Sequence, residues 1–95
     1  MNYDVVFFPR AELEVTKAFQ WYESKTQGLG GKFIRHLDVE IERIKKYPLQ
    51  ARSGKNDFRE LPVESFPYII IFSTRKDKII VHSIFHTSRN PDKKP

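Results

Sequence analysis

Residues 79–91 read IIVHSIFHTSRNP. Their conformation decides the fold, because His82 and His86 would share one face of a helix but stand apart on a strand. The segment is dominated by β-branched and aromatic residues, which favour an extended chain. Pro91 prevents its continuation. As a strand over Ile79–Phe85, it points His82, Ile84 and His86 to one face. At a rise of about 3.3 Å per residue the two histidines then sit roughly 13 Å apart. Zinc holds each imidazole nitrogen at about 2.0–2.1 Å, so one ion cannot bridge them. The strand reading therefore predicts no metal site. It leaves His82 as a partly buried residue with a satisfied hydrogen bond. His86 and Arg89 fall where the strand ends, as a recognition site at the sheet edge or as a hydrogen-bonded terminator of the strand.

Working back from this stretch, Tyr68–Thr74 (YIIIFST) is almost continuously apolar and reads as a central strand. Phe58–Val63 reads as another. Glu64-Ser65 and Arg75-Lys76-Asp77-Lys78 are short polar connections that suit hairpins. Residues 48–57 are polar and irregular. Upstream of them the hydrophobic period changes to that of helices. Phe33, Leu37, Ile41 and Ile44 form the stripe of a helix from Leu29 to Tyr47, ended by Pro48. Ala11, Val15, Ala18 and Tyr22, widened by Phe19, form the stripe of another from Pro9 to Lys25, with Leu13 and Trp21 on its flank. The turn TQGLGG breaks the first helix, with Gly28 as its left-handed cap, and joins it to the second. Residues 3–8 (YDVVFF) read as a first strand. The order is β-α-α-β-β-β. The predicted class is α+β, with a helical hairpin on one face of a twisted antiparallel sheet, in one domain spanning 1–95.

Composition narrows the chemistry. The 95 residues contain no cysteine, which excludes disulfides, thiol catalysis and cysteine-based zinc sites. Absence of cysteine suits a reducing, cytoplasmic setting. No apolar run approaches the length of a membrane span, and the first residues lack the pattern of a signal peptide. The net charge is +5, and most of the excess lies after residue 47. Such a half-domain either meets an acidic partner or carries a solvated surface. Ser83 faces away from His82 on a strand, and there is no Gly-x-Ser-x-Gly elbow. The glycines lie between helices rather than after a strand, so they build no phosphate loop. Glu40 and Glu42 are two apart on a helix and make a poor acid/base pair. No cofactor is expected.

The stretch FRELPVESFPYIIIFSTRKDKIIVHSIFHTSRNP resembles the C-terminal half of the RelE/ParE toxin superfamily. The features that carry the likeness are Arg59-x-Leu61, Phe66-Pro67-Tyr68 before a hydrophobic strand, and His86-x-x-Arg89-x-Pro91. The first half agrees through AFQWYESKTQGLGGKF and the Tyr47-Pro48 helix end. The resemblance implies the β-α-α-β-β-β fold already deduced and a bacterial toxin of a type II toxin–antitoxin system, of the kind tied to plasmid stabilization. It implies a cognate antitoxin partner. RelE-like members cut messenger RNA on the ribosome; ParE-like members inhibit DNA gyrase by binding.

A RelE-like enzyme would place a catalytic arginine where this chain has Ile69, Ile70 and Ile71, and the tail PDKKP offers no tyrosine or histidine after Arg89. Losing one such donor or acid typically costs about 10²–10⁴ in rate. The resemblance therefore leans to ParE, with no catalytic residue. Arg59, Arg89, Lys93 and Lys94 become the expected target contacts. Arg59 has a competing structural role in pairing Glu60 or Glu64. Phe19 and Trp21 are either core residues or part of an antitoxin groove. The alternatives are a ribosome-dependent endoribonuclease using His86, Arg89, Arg59 and Lys55, and an inactive relic that only binds its antitoxin. A free toxin could also form a homodimer.

Overall fold

In the computed structural model, which describes residues 3–88 and 91–95, a helical hairpin covers one face of a five-stranded sheet. Strand β1 spans Asp4–Phe7, helix α1 Pro9–Lys25 and helix α2 Leu29–Lys46. A 3-10 turn at Pro48–Gln50 leads to a two-residue strand β2 (Arg52–Ser53), followed by β3 (Arg59–Pro62), β4 (Tyr68–Arg75) and β5 (Lys78–His86). The sheet order is β1-β5-β4-β3-β2.

Two features depart from the predicted sheet. First, β1 runs parallel to β5, so the sheet is mixed, although β2 to β5 are antiparallel as expected. The helical hairpin brings the chain back across the sheet before the hairpin strands begin, and that crossover permits the parallel pairing. Second, Arg52–Ser53 pairs with Arg59–Glu60 as an extra edge strand. Its sequence is too short and polar to announce a strand.

Helix α1 begins where Pro9 takes the first helical position and the Phe8 carbonyl accepts from the Glu12 N–H. It ends at Thr26. The left-handed Gly28 (φ 87°) belongs to the start of α2. Glu23 reaches back over this turn, and its two oxygens accept from the N–H groups of Gly28 and Gly30, each at 2.9 Å. One carboxylate thus satisfies two otherwise orphaned donors beside a helix N-terminus, where negative charge is favoured. The helices also approach closely at Gly30. A Cβ there would lie 2.8 Å from the Phe19 carbonyl oxygen and 2.9 Å from the Phe19 ring.

The core lies between hairpin and sheet. Ala11 and Ala18 of α1, Phe33, Leu37 and Ile44 of α2, and Ile70, Phe72, Ile79, Val81 and Ile84 of the sheet are all buried. Full burial of an aliphatic or aromatic side chain of this size stabilises by about 1.5–3 kcal/mol. Tyr68 belongs to this core and Phe66 packs against it, while Pro67 between them is exposed. Phe66 packs its ring on Tyr22 and Phe33, and Tyr68 meets Phe33 at a tilt and His86 edge-on.

A β-bulge decides the faces of β5. Ile71 pairs with Ser83 and Phe72 with Val81, so His82 is the extra residue. The alternation changes at that point. Ile84 joins the core beneath the helices, whereas His82 bonds Ser73 on the opposite face. The expectation that His82, Ile84 and His86 share one face is therefore overturned. Strict period-two counting cannot see an inserted residue.

Candidate functional site

The two histidines now have separate surroundings. The His82 Nε2 lies 2.7 Å from the Ser73 hydroxyl, and the ring sits between Phe8 and Phe58, with centroids at 5.0 and 4.5 Å. Desolvation by these rings holds its pKa below the ordinary imidazole value. His86 lies at the far end of β5. Its Nδ1 accepts from the Ser88 N–H at 3.0 Å, which leaves the proton of the neutral ring on Nε2. Its ring meets Tyr68 edge-on at 4.9 Å. Among the described residues, no three His, Asp or Glu side chains gather as a metal-ligand set.

The basic residues singled out from the sequence are dispersed. Arg59 turns its Nη1 to the Ala51 carbonyl at 3.0 Å and the Leu49 carbonyl at 3.3 Å, tying β3 to the irregular segment before it. These carbonyls and the Ser53 hydroxyl at 3.5 Å, rather than Glu60 or Glu64, are its partners. Lys55 is exposed in the turn between β2 and β3. Arg59 pairs with Phe72 and His86 with Tyr68, four residues apart along β4. At about 3.3 Å per residue this separates them by roughly 13 Å of strand. Arg89 lies outside the described residues. The geometry thus brings neither Lys55, Arg59 and His86 nor the two histidines into one cluster.

The family model for the ParE toxin of the type II toxin–antitoxin system parDE matches residues 5–91. The chain belongs to the ParE toxin family. Among solved structures, a chain of the "Chromosomal ParDE TA system from P. aeruginosa" is similar to it at a TM-score of 0.77. That chain is 13% identical, and the likeness covers 90% of this chain and 97% of that one. At this identity the likeness speaks for the fold. No curated protein matches. The ParE assignment agrees with the Phe66-Pro67-Tyr68 and His86-x-x-Arg89-x-Pro91 motifs, both of which fall inside or end the matched span.

This ParE-family toxin carries a cleft of about 500 Å³ between α1 and the end of β5. Lys17 and Trp21 form one wall; Tyr68, Ile84 and His86 form the other. The cleft exists because β1 pairs only with Lys78–Val81 and leaves the rest of that β5 edge without a strand. Glu14 closes part of the gap. One of its oxygens accepts from the Ser83 hydroxyl at 2.7 Å and the Ile84 N–H at 3.0 Å. The sequence reading missed Glu14, because the feature that recruits it is the point where β1 leaves the edge. Trp21 is 56% exposed, with the Lys25 ammonium 4.1 Å from its ring centroid. Phe19 is also exposed, but two helical residues away it faces the Gly30 side and does not line the cleft. The two aromatic candidates therefore belong to different faces of α1.

A second basic feature emerges from the register. The β2–β3 turn with Lys55 and the β4–β5 hairpin with Arg75, Lys76 and Lys78 lie at the same end of the sheet. All four are exposed, and none forms an ion pair among the described residues. In the sequence the hairpin cations read only as a polar connection. No helix among the described residues is long and apolar enough to cross a membrane.

Proposed function

We propose that this toxin acts by binding and inhibiting DNA gyrase, with no catalytic residue of its own. The observation that carries the reading is the dispersal of the groups a ribonuclease would need. Cleavage through a 2′-hydroxyl requires a base, an acid and phosphate-stabilising donors within hydrogen-bond reach of one phosphate. Here Arg59 is committed to backbone carbonyls, and His86 stands well along the sheet from it. Membership of the ParE family supports the same choice. Arg59, Arg89, Lys93 and Lys94 remain the target contacts in this reading. Arg59 would act mainly by holding the β3 edge in shape. The cognate antitoxin would cover the Trp21 wall of the α1 cleft, with Phe19 contributing only if the antitoxin also crosses the helical hairpin.

Expression without antitoxin tests the proposal. Filamentation with induction of the SOS response, together with loss of supercoiling by purified gyrase, is the expected result. Arg89→Ala should weaken both, while His86→Ala should leave them intact. Translation arrest with transcripts cut at codon boundaries, abolished by His86→Ala, would instead establish the ribonuclease. Normal growth with retained antitoxin binding would identify an inactive relic.

A further inference from the structure

The sheet face turned away from the helices carries an apolar surface of its own. Along β4 the residues alternate: Tyr68, Ile70 and Phe72 enter the main core, and Ile69, Ile71 and Ser73 point the other way. Beyond the bulge Phe85 pairs with Ile69 and so lies on this outer face. Ile71 is 0% and Phe85 4% exposed, yet neither belongs to the main core cluster. Something other than the helical hairpin must cover them.

The segment 91–95 is in the right place. The Lys94 ammonium pairs with Glu60, which is the register partner of Ile71 on β3 and shares its outward direction. One residue earlier, the Lys93 carbonyl accepts from Arg10. Arg10 is itself paired to Glu14, the residue that closes the β5 edge. The segment is therefore tethered towards the β5 side of the sheet through Lys93 and towards the β3 side through Lys94, whose side chain reaches towards the row formed by Ser83, Ile71 and Glu60. Pro91, Asp92 and Lys93 are exposed, whereas Lys94 and Pro95 are partly buried.

We propose that residues 91–95 form a detachable strap that seals Ile71 and Phe85 and regulates the toxin by withholding Lys94 from its target. This rests on the reading that the tail lysines meet that target. Both tethers are polar, and the cation of each, Arg10 and Lys94, keeps contact with solvent. Their joint release would free the Lys94 ammonium and uncover an apolar strip beside it. A charged partner that competes with Glu60 for Lys94 could open the strap without disturbing the main core.

Nuclear Overhauser contacts in the free full chain test the closed state. The wild type should show contacts from Lys94 and Pro95 to the Ile71 methyls and the Phe85 ring. Combined Arg10→Gln and Glu60→Lys substitutions should abolish them and shift the Ile71 signals, while the Ile70, Ile79 and Ile84 methyls stay in place as the control for folding. If the double variant fails to fold, deletion of 91–95 serves instead, with the same methyl shifts expected. Absence of the contacts in the wild type, or Ile71 signals unmoved by strap release, would overturn the strap. For regulation, the folded double variant should inhibit gyrase at several-fold lower concentration. Unchanged inhibition despite lost contacts would refute regulation. Inhibition by neither protein, with the contacts present, would refute the gyrase reading and leave the closed strap standing.

Discussion

His82 shows how much one inserted residue can change. Its ring is desolvated by Phe8 and Phe58, so the folded protein disfavours its proton more than the unfolded chain does. The folded pKa is lowered. Stability from the neutral ring is then fully present above the unfolded value of about 6.5 and is lost as pH falls through the folded pKa. Urea denaturation of the wild type should show this acid-side loss, and His82→Phe should reduce it. Glu23 makes a different kind of contribution, because it satisfies the Gly28 and Gly30 donors together. Glu23→Ala should cost about 1–2 kcal/mol in urea denaturation, in line with the loss of a helix cap. Tyr22 is buried enough for its phenol to titrate above the ordinary value. It therefore resists ionisation at alkaline pH until the fold loosens.

Among the elements, the contact between α1 and α2 is set by Gly30. The Phe19 carbonyl and ring occupy the space a Cβ would need, and the carbonyl belongs to a helix that cannot yield locally. Gly30→Ala should separate the helices and destabilise by about 1–3 kcal/mol, the usual cost of overpacking, despite alanine's better helix propensity. Thermal melting compared with Gly31→Ala, where the nearest atom is the end of the Arg35 side chain at 3.6 Å, isolates the packing effect. The second element-scale device is the Glu14 plug on the β5 edge. Glu14→Ala leaves the Ile84 N–H and the Ser83 hydroxyl without their acceptor. An unsatisfied buried donor costs about 1–3 kcal/mol, and amide exchange at Ile84 should accelerate accordingly. The start of α1 and the end of α2 were legible from Pro9 and Pro48, whereas α1 is capped at Thr26 and the left-handed Gly28, expected as its cap, instead opens α2. The edge strand Arg52–Ser53 was not, since its pairing comes from its partner β3 rather than from its own residues.

For the whole molecule, the main core and the outer face make separate contributions. Phe33 is fully buried and touches Tyr22, Phe66 and Tyr68, so it links both helices to the start of β4. Phe33→Ala should cost about 3–5 kcal/mol, a large fraction of the stability of a domain this small, and calorimetry should show a much lower Tm. The basic surface is divided as well. Lys55, Arg75, Lys76 and Lys78 stand at one end of the sheet, while Lys94 is paired with Glu60 of β3. Target binding through either surface should weaken as salt rises.

Hydrophobic periodicity, prolines and the Gly28 turn were enough to determine the helical hairpin, the three long hairpin-region strands and the ParE resemblance, because those signals are local and repeat within each element. The Phe66-Pro67-Tyr68 motif was readable as a likeness, though only packing showed that Phe66 joins Tyr68 at the core while Pro67 stays exposed. Tertiary structure alone decided the parallel docking of β1, the bulge that sends His82 to the outer face, the capture of Arg59 by the Leu49 and Ala51 carbonyls and the tethering of the 91–95 segment to Arg10 and Glu60. Each of these depends on which chain segments meet in space. A hydrogen bond between residues dozens of positions apart leaves no periodic trace in the order of the amino acids.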